Sequence, residues 1–254
     1  KKDSSIAVGV SLHKEGAADA FVSAGHTGAV MSASTLILGR IEGIGRPTIG
    51  AFFPSEKGVC LLLDAGANVD CKPQHLHEFA IMGSIYAREM LLIPNPTVGL
   101  LSIGEESSKG NALTLEAHEL LSRSRLNFIG NVEGRDILRG KANVVVCDGF
   151  VGNVVLKFAE GVLDLLRTKF RNHAARNMFR KVWVGMMSRT LRSVMKDFDY
   201  QEYGGVPLLG VNGVSIIGHG KSTPKAIKNM ILKAEEMVRK NITGTIRESV
   251  AAAR

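Results

Sequence analysis

One stretch constrains the rest of the chain: Val144-Val-Val-Cys-Asp-Gly-Phe-Val-Gly-Asn-Val-Val-Leu-Lys-Phe-Ala-Glu-Gly161. Apolar residues run unbroken to Cys147, the pattern of a strand buried on both faces. Asp148-Gly149 ends the run, and Val154, Val155, Phe158 and Val162 then recur at helical spacing. A strand therefore delivers Asp148, Gly149, Gly152 and Asn153 to its carboxyl end, where a helix starts. In open α/β sheets ligands bind at that edge, and helix N-termini there suit anions.

The same alternation recurs along the chain. Helical patterns cover residues 6–16, 29–39, 73–91 and a run ending near 122. Apolar runs read as strands at 19–25, 47–53, 59–64, 97–104, 127–130 and 214–218. Ser4 or Ser5 caps the first helix, and Thr223 with Pro224 opens the last, which is interrupted near Thr243-Gly244. Tyr203-Gly-Gly-Val-Pro207 reads as loop. Alternating strands and helices predict an α/β fold with a mostly parallel sheet covered on both faces, three layers in all. The 254 residues read as a single domain with a helical hairpin insertion at about 161–197. Right-handed crossovers then predict one edge collecting every strand's carboxyl end. That edge would hold Gly25-His26-Thr27-Gly28, Asp64 with Asn68, Lys109, Gly130-Asn131, Asp148 to Asn153, and Gly218-His219-Gly220.

Composition removes several classes. Hydrophobic residues at 45% exclude a disordered chain. Three cysteines without CxxC spacing argue against a disulfide framework or a zinc site. No apolar run reaches membrane-spanning length. A formal charge of +8 favours acidic partners, whether nucleic acid, an anionic membrane or an acidic protein.

Two Gly-x-x-Gly turns, Gly25–Gly28 and Gly149–Gly152, sit between a strand and a helix. They either expose amides to a phosphate or an oxyanion, or serve as ordinary strand-to-helix turns. No Gly-x-Gly-x-x-Gly run follows a strand, which counts against NAD. Gly218-His-Gly-Lys-Ser222 lacks the first glycine of a P-loop, since Ser215 stands there. Lys109, in a polar loop after a strand, is a candidate for stabilising phosphate charge; a solvated lysine is the bland reading. Asp64 and Asp148 stand at strand ends as bases or turn caps. His26 and His219 are candidates for proton transfer or plain turn residues. Cys147 reads as a buried thiol. Between 177 and 187, Met178, Phe179, Val182, Trp183, Val184, Met186 and Met187 mix with Arg176, Arg180 and Lys181. That mixture suits an anionic membrane surface or packing inside a dimer.

Ser23-Ala-Gly-His-Thr-Gly-Ala29, Leu63-Asp-Ala-Gly-Ala-Asn-Val-Asp70, Phe79-Ala-Ile-Met-Gly-Ser84, Gly104-Glu-Glu106, Lys109-Gly110, Phe128-Ile-Gly-Asn131 and Asp148-Gly-Phe-Val-Gly-Asn-Val154 together resemble bacterial acyl-ACP:phosphate acyltransferases, the PlsX family. The resemblance spans nearly the whole chain. It implies a fold similar to isopropylmalate dehydrogenase and phosphotransacetylase. It implies transfer of a fatty acyl group from acyl carrier protein to inorganic phosphate, giving acyl phosphate for phospholipid synthesis. No cofactor, metal or nucleic acid is implied. It also implies a homodimer at the cytoplasmic membrane face. Lys109 and Asn153 take the catalytic positions, and Phe179, Val182, Trp183, Val184 and Met186 the membrane contact. Gly25, His26, Thr27, Gly28, Asp64, Asn68, Asp148, Gly149, Gly152 and His219 are the expected phosphate and substrate contacts. Two departures stand out. The family's opening βα segment with an Asp-Ala-Met-Gly-Gly-Asp loop is not in this sequence, so the chain is expected to be N-terminally incomplete. His26 also replaces the family's usual Asn. An acyl-CoA:phosphate transferase and a non-enzymatic membrane scaffold are the rival readings.

Overall fold

In the computed structural model, residues 3–175, 178, 185–186, 190 and 204–252 are described. The long apolar runs become the centre of an eight-stranded sheet. Its strands are β1 (Ala20–Ser23), β2 (Thr48–Ser55), β3 (Gly58–Leu63), β4 (Val98–Leu101), β5 (Phe128–Val132), β6 (Val144–Val146), β7 (Val206–Leu209) and β8 (Val214–Ile217). Their spatial order is β1-β8-β7-β2-β3-β6-β4-β5. The helices are α1 (Ser5–Lys14), α2 (Thr27–Ala33, continued as a π-turn over Ser34–Leu38), α3 (Pro73–Met90), α4 (Ala112–Ser122), α5 (Gly134–Arg139), α6 (Gly149–Ala175), α7 (Pro224–Arg239) and α8 (Ile242–Ala252).

Period-2 alternation divides the core between two faces. Leu61, Leu63, Val144 and Val146 pack with Leu76, Phe79, Met82 and Tyr86 of α3. Cys60, Leu62 and Val145 face the other way, toward Ile137 of α5 and Val151 and Val155 of α6. Three layers result, as expected from the sequence. Gly83 lets α3 close on the sheet, because a Cβ there would lie 2.6 Å from both Leu63 and Val144 side chains. Side-chain caps start the helices where the sequence places them: Ser4 Oγ accepts from Ala7 N at 3.2 Å, and Thr223 Oγ1 from Ala226 N at 3.4 Å. The last helix breaks at Lys240-Asn241 rather than at Thr243-Gly244, with Asn241 at φ +49°. Asparagine tolerates that left-handed turn better than most residues. Among the described residues, no helix is long and apolar enough to cross a membrane.

Two expectations fail for identifiable reasons. Residues 203–207 are not all loop, since Val206 and Pro207 enter β7, where Pro207 stands opposite Ile216. β2 pairs with β7 only through Thr48 and Ile49, so Pro207, which has no amide to donate, lies where that ladder has already stopped. The strand ends also do not share one edge. β3, β6, β4 and β5 are mutually parallel, but the steps β3–β2, β2–β7 and β7–β8 are each antiparallel. Three reversals leave β8, and β1 parallel to it, running against β3. The turns at Gly25–Gly28 and Gly218–Gly220 therefore leave the sheet opposite to those at Asp64, Lys109, Asn131 and Asp148. The register offsets the two halves along β2. Leu63 stands opposite Gly50, while Leu208 stands opposite Ile49 and Ile217 opposite Val206. Both sets of strand ends thus begin at nearly the same level and diverge on either side of β2 and β7.

Candidate active site

Four consecutive parallel strands build the first group of turns. Asp64, at the end of β3, is fully buried, and its own loop occupies its carboxylate. Oδ1 accepts from Gly66 N (3.0 Å) and Ala67 N (2.9 Å), and Oδ2 from Asn68 N (2.8 Å) and Asn68 Nδ2 (2.6 Å). Burial pushes its pKa up, and these hydrogen bonds oppose the shift. Asn68 Nδ2 also donates to Pro47 O at 2.7 Å. Asp64 and Asn68 therefore shape the loop, with their side chains turned into it.

The α6 turn is fitted to that loop backbone to backbone. A Cβ on Gly149 would lie 2.6 Å from Asn68 O, and one on Gly152 1.8 Å from Asp64 O. Gly149 N donates to Asn68 O (2.7 Å), Val151 N to Asp148 Oδ1 (2.8 Å) and Gly152 N to Asp148 O (3.0 Å). Asp148 is thus the helix cap. Phe150 N remains the first-turn donor without an intrachain partner among the described residues. Asn153 is exposed one turn in, its side chain against Gly66, where a Cβ would come within 3.3 Å of Asn153 Oδ1. Cys147 is buried and its thiol is held well above its ordinary pKa by burial. Cys71, beside the same loop, is pushed up to about 11 by burial and then by the Asp64 carboxylate. Neither thiol is a thiolate nucleophile at neutral pH.

On β4, next to β6, the loop from Ser102 to Gly110 carries Lys109 with its side chain exposed. Its backbone is pinned from β5. Asn131 Nδ2 donates to Glu106 O (2.8 Å) and Lys109 O (3.3 Å), and Ser102 Oγ donates to Lys109 O (2.9 Å). Asn131 is 3% exposed, and its Oδ1 is buried without a partner among the described residues. The sequence places Asn131 on this edge but does not show that it holds the Lys109 loop. A polar side chain closing an otherwise apolar strand was the available signal, since burying an amide is costly unless it is bonded. Exposed apolar side chains rise from the same three loops: Val69 (62%), Ile103 (82%) and Phe150 (62%).

The second group lies at the ends of β1 and β8, tied by Gly218 N donating to Ser23 O at 2.8 Å. Gly25 N donates to Ser23 Oγ (3.1 Å), and Ala29 N to His26 Nδ1 (3.3 Å), so His26 caps α2. For Nδ1 to accept, the neutral ring must carry its proton on Nε2. The amides of Thr27 and Gly28 have no intrachain partner among the described residues. His219 Nδ1 accepts from Lys221 N at 3.1 Å. Ala67 of the first group packs on the apolar cluster that contains Val30, one turn into α2. Of the expected membrane contacts, Met186 is exposed, whereas Phe179, Val182, Trp183 and Val184 lie outside the described residues.

This architecture is that of phosphotransacetylases. The EutD phosphotransacetylase of Staphylococcus aureus superposes with a TM-score of 0.60 at 16% identity, over 92% of this chain and 67% of that one. A phosphotransacetylase of Streptococcus pyogenes gives 0.54 at 19%, over 96% and 67%. Sequence carries the assignment further. The family model described as fatty acid synthesis protein matches residues 1–244. A phosphate acyltransferase of Desulforudis audaxviator is 55% identical over 246 residues, 97% of this chain and 73% of the relative. One from Halothermothrix orenii is 53% identical over 256 residues, 98% and 75%. The chain belongs to this family of phosphate acyltransferases.

Proposed function

We propose that this chain transfers a fatty acyl group from acyl carrier protein to inorganic phosphate, releasing acyl phosphate and the carrier thiol. The observation that carries the reading is the 55% identity to a phosphate acyltransferase across nearly the whole chain. The site's chemistry supports it. Open amides at Thr27 and Gly28 and the Lys109 ammonium suit a phosphate anion. Val69, Ile103 and Phe150 supply an apolar rim for an acyl chain beside Asn153.

An oxygen of phosphate attacks the thioester carbonyl carbon, and the carbonyl electrons move onto oxygen. The oxyanion is held by Asn153 Nδ2 and the Phe150 amide, each donor contributing about 2.7–4 kcal/mol if it acts as a typical oxyanion donor. Collapse breaks the C–S bond, and the thiolate leaves to take a proton from water. Asp64, Asn68, Asp148, Gly149 and Gly152 hold the loops that present these groups. The Gly25–Gly28 and His219 turns hold the phosphate.

The same reading includes a homodimer and contact with the inner face of the cytoplasmic membrane. Val154, Phe158, Val162 and Leu165 leave an exposed apolar stripe on the 27-residue α6, suited to a second copy. Met178 and Met186, 75% and 69% exposed, belong to the segment read as membrane contact.

Phosphate-dependent release of the carrier thiol tests the function. Lys109→Ala and Asn153→Ala should each lower acyl-phosphate formation about tenfold or more, within the range for a lost transition-state donor. Melting should barely change, since both side chains are exposed. Near-normal turnover in both variants would sink the site assignment. Acyl-CoA serving as well as acyl carrier protein would favour the phosphotransacetylase-like alternative.

A further inference from the structure

The loop that carries Lys109 also carries an acid that the proposed chemistry does not use. Gly104 is buried, and a Cβ there would lie 3.0 Å from Glu106 Oε2 and 3.0 Å from Lys109 Cγ, so the two side chains lie over the same bare backbone. Their main chains are joined as well. Lys109 N donates to Glu106 O at 3.0 Å, and the buried Asn131 Nδ2 donates to the Glu106 and Lys109 carbonyls at 2.8 and 3.3 Å. The neighbouring carboxylate of Glu105 is taken by Lys141 Nζ at 3.0 Å. Glu106 and Lys109 are both exposed, and neither side chain makes an ion pair or a hydrogen bond among the described residues. An acid and a cation held side by side without neutralising each other suit a ligand that brings both an ionised oxygen and a hydroxyl.

We propose that Glu106 is a further catalytic residue of the phosphate site: its carboxylate accepts the P–OH of hydrogen phosphate while Lys109 faces the ionised oxygens. The inference rests on the phosphate reading of Lys109 above. The protons balance. Hydrogen phosphate carries one proton that the fully ionised acyl phosphate does not keep, and the leaving thiolate needs one. As an ionised oxygen attacks the thioester carbon, Glu106 takes the P–OH proton and so keeps electron density on the nucleophile. It then releases that proton to water, from which the thiolate takes its own. The same arrangement discriminates between anions. An ionised carboxylate only accepts hydrogen bonds, and sulfate at neutral pH has no hydrogen to give. Sulfate placed against Glu106 sets lone pairs against lone pairs, and a site built around a substrate hydroxyl rejects the analogue that lacks it.

The test measures phosphate-dependent turnover in the full chain with sulfate as the competitor. In Glu106→Gln, whose amide can donate as well as accept, the ratio of the sulfate inhibition constant to the phosphate KM should fall roughly tenfold, about 1.4 kcal/mol of lost discrimination. The same variant should lose kcat by about a hundredfold, the lower end for a positioned general base. Glu106→Asp, which keeps the acid on a shorter stem, should keep the rejection of sulfate with a smaller loss of kcat. Melting should barely change in either variant, since the side chain is exposed. If Glu106→Gln turns over too slowly for inhibition to be read, calorimetric titration with phosphate and with sulfate gives the same ratio. A folded Glu106→Gln protein with an unchanged ratio and an unchanged kcat overturns the assignment and leaves the proposed function standing. So does a fall in kcat with that ratio unchanged, which would make the carboxylate a spacer for Lys109. Absence of phosphate-dependent turnover in the unaltered protein would instead remove the function itself.

Discussion

The two Gly-x-x-Gly turns look alike in sequence and are used in opposite ways. At Gly149–Gly152 the glycines admit another backbone: a Cβ would strike Asn68 O or Asp64 O, and the Gly149 and Gly152 amides are spent on carbonyls. At Gly25–Gly28 the nearest obstacles are side chains, Ser23 Oγ and Ile6 for Gly25 and the His26 ring for Gly28. The amides of Thr27 and Gly28 have no intrachain partner among the described residues. One turn is a joint between two loops, and the other is the better anion cradle. The motif therefore marks a strand-to-helix turn, and its neighbours decide what the glycines do.

Substitution separates the two uses. Gly152→Ala should be the most damaging change, because the obstacle at 1.8 Å is a backbone oxygen that cannot swing aside. A loss of about 3 kcal/mol or more, the upper end for overpacking a tight site, should appear in chemical denaturation. Wild-type stability in that variant would mean that the joint is looser than the geometry allows.

Asn131→Ala should have an intermediate effect. It removes two hydrogen bonds to the Lys109 loop, worth about 1–2 kcal/mol together, and it also removes an orphaned acceptor, which offsets part of that. If Asn131 positions Lys109, turnover should fall severalfold more than the modest loss of melting temperature accounts for, with kcat affected more than the KM for the acyl donor. Asn131→Asp should not rescue, since a carboxylate would face the Glu106 and Lys109 carbonyl oxygens. A drop in stability without a drop in kcat would make Asn131 purely structural.

Much of this was legible in the sequence. The unbroken runs at Val59–Leu63 and Val144–Cys147 could only be buried strands, and the caps at Ser4 and Thr223 start their helices as read. Not every strand's direction was legible. A crossover rule assumes parallel neighbours, but the two-residue link from β2 to β3 and the four-residue link from β7 to β8 allow only antiparallel pairs; what no local pattern announces is that β2 and β7, distant in sequence, also pair antiparallel. The loss of Val206 and Pro207 to a loop reading has the same origin, since proline is excluded from a strand only where its partner ladder continues. Within the site, Lys109 could be singled out as a cation in a polar loop, and Asn153, one turn into α6, took its proposed role from the family resemblance. That Asp64 and Asn68 spend their side chains on their own loop depends on distances no spacing encodes. So does the pinning of Lys109 by Asn131 from the neighbouring strand.

The smallest effect is expected at the open turn. In Gly28→Ala the new Cβ would meet His26 Cε1 at 3.2 Å, and an exposed ring can rotate away. Gly28 has ordinary helical backbone, so alanine adds no strain there and favours helix by about 1 kcal/mol. Stability should change by less than about 1 kcal/mol. The displaced ring and added methyl crowd the side from which an anion reaches the Thr27 and Gly28 amides. The KM for phosphate should therefore rise severalfold, with the KM for the acyl donor unmoved. Equal effects on both substrates would place phosphate elsewhere, and the contrast between the turns would then be one of packing alone.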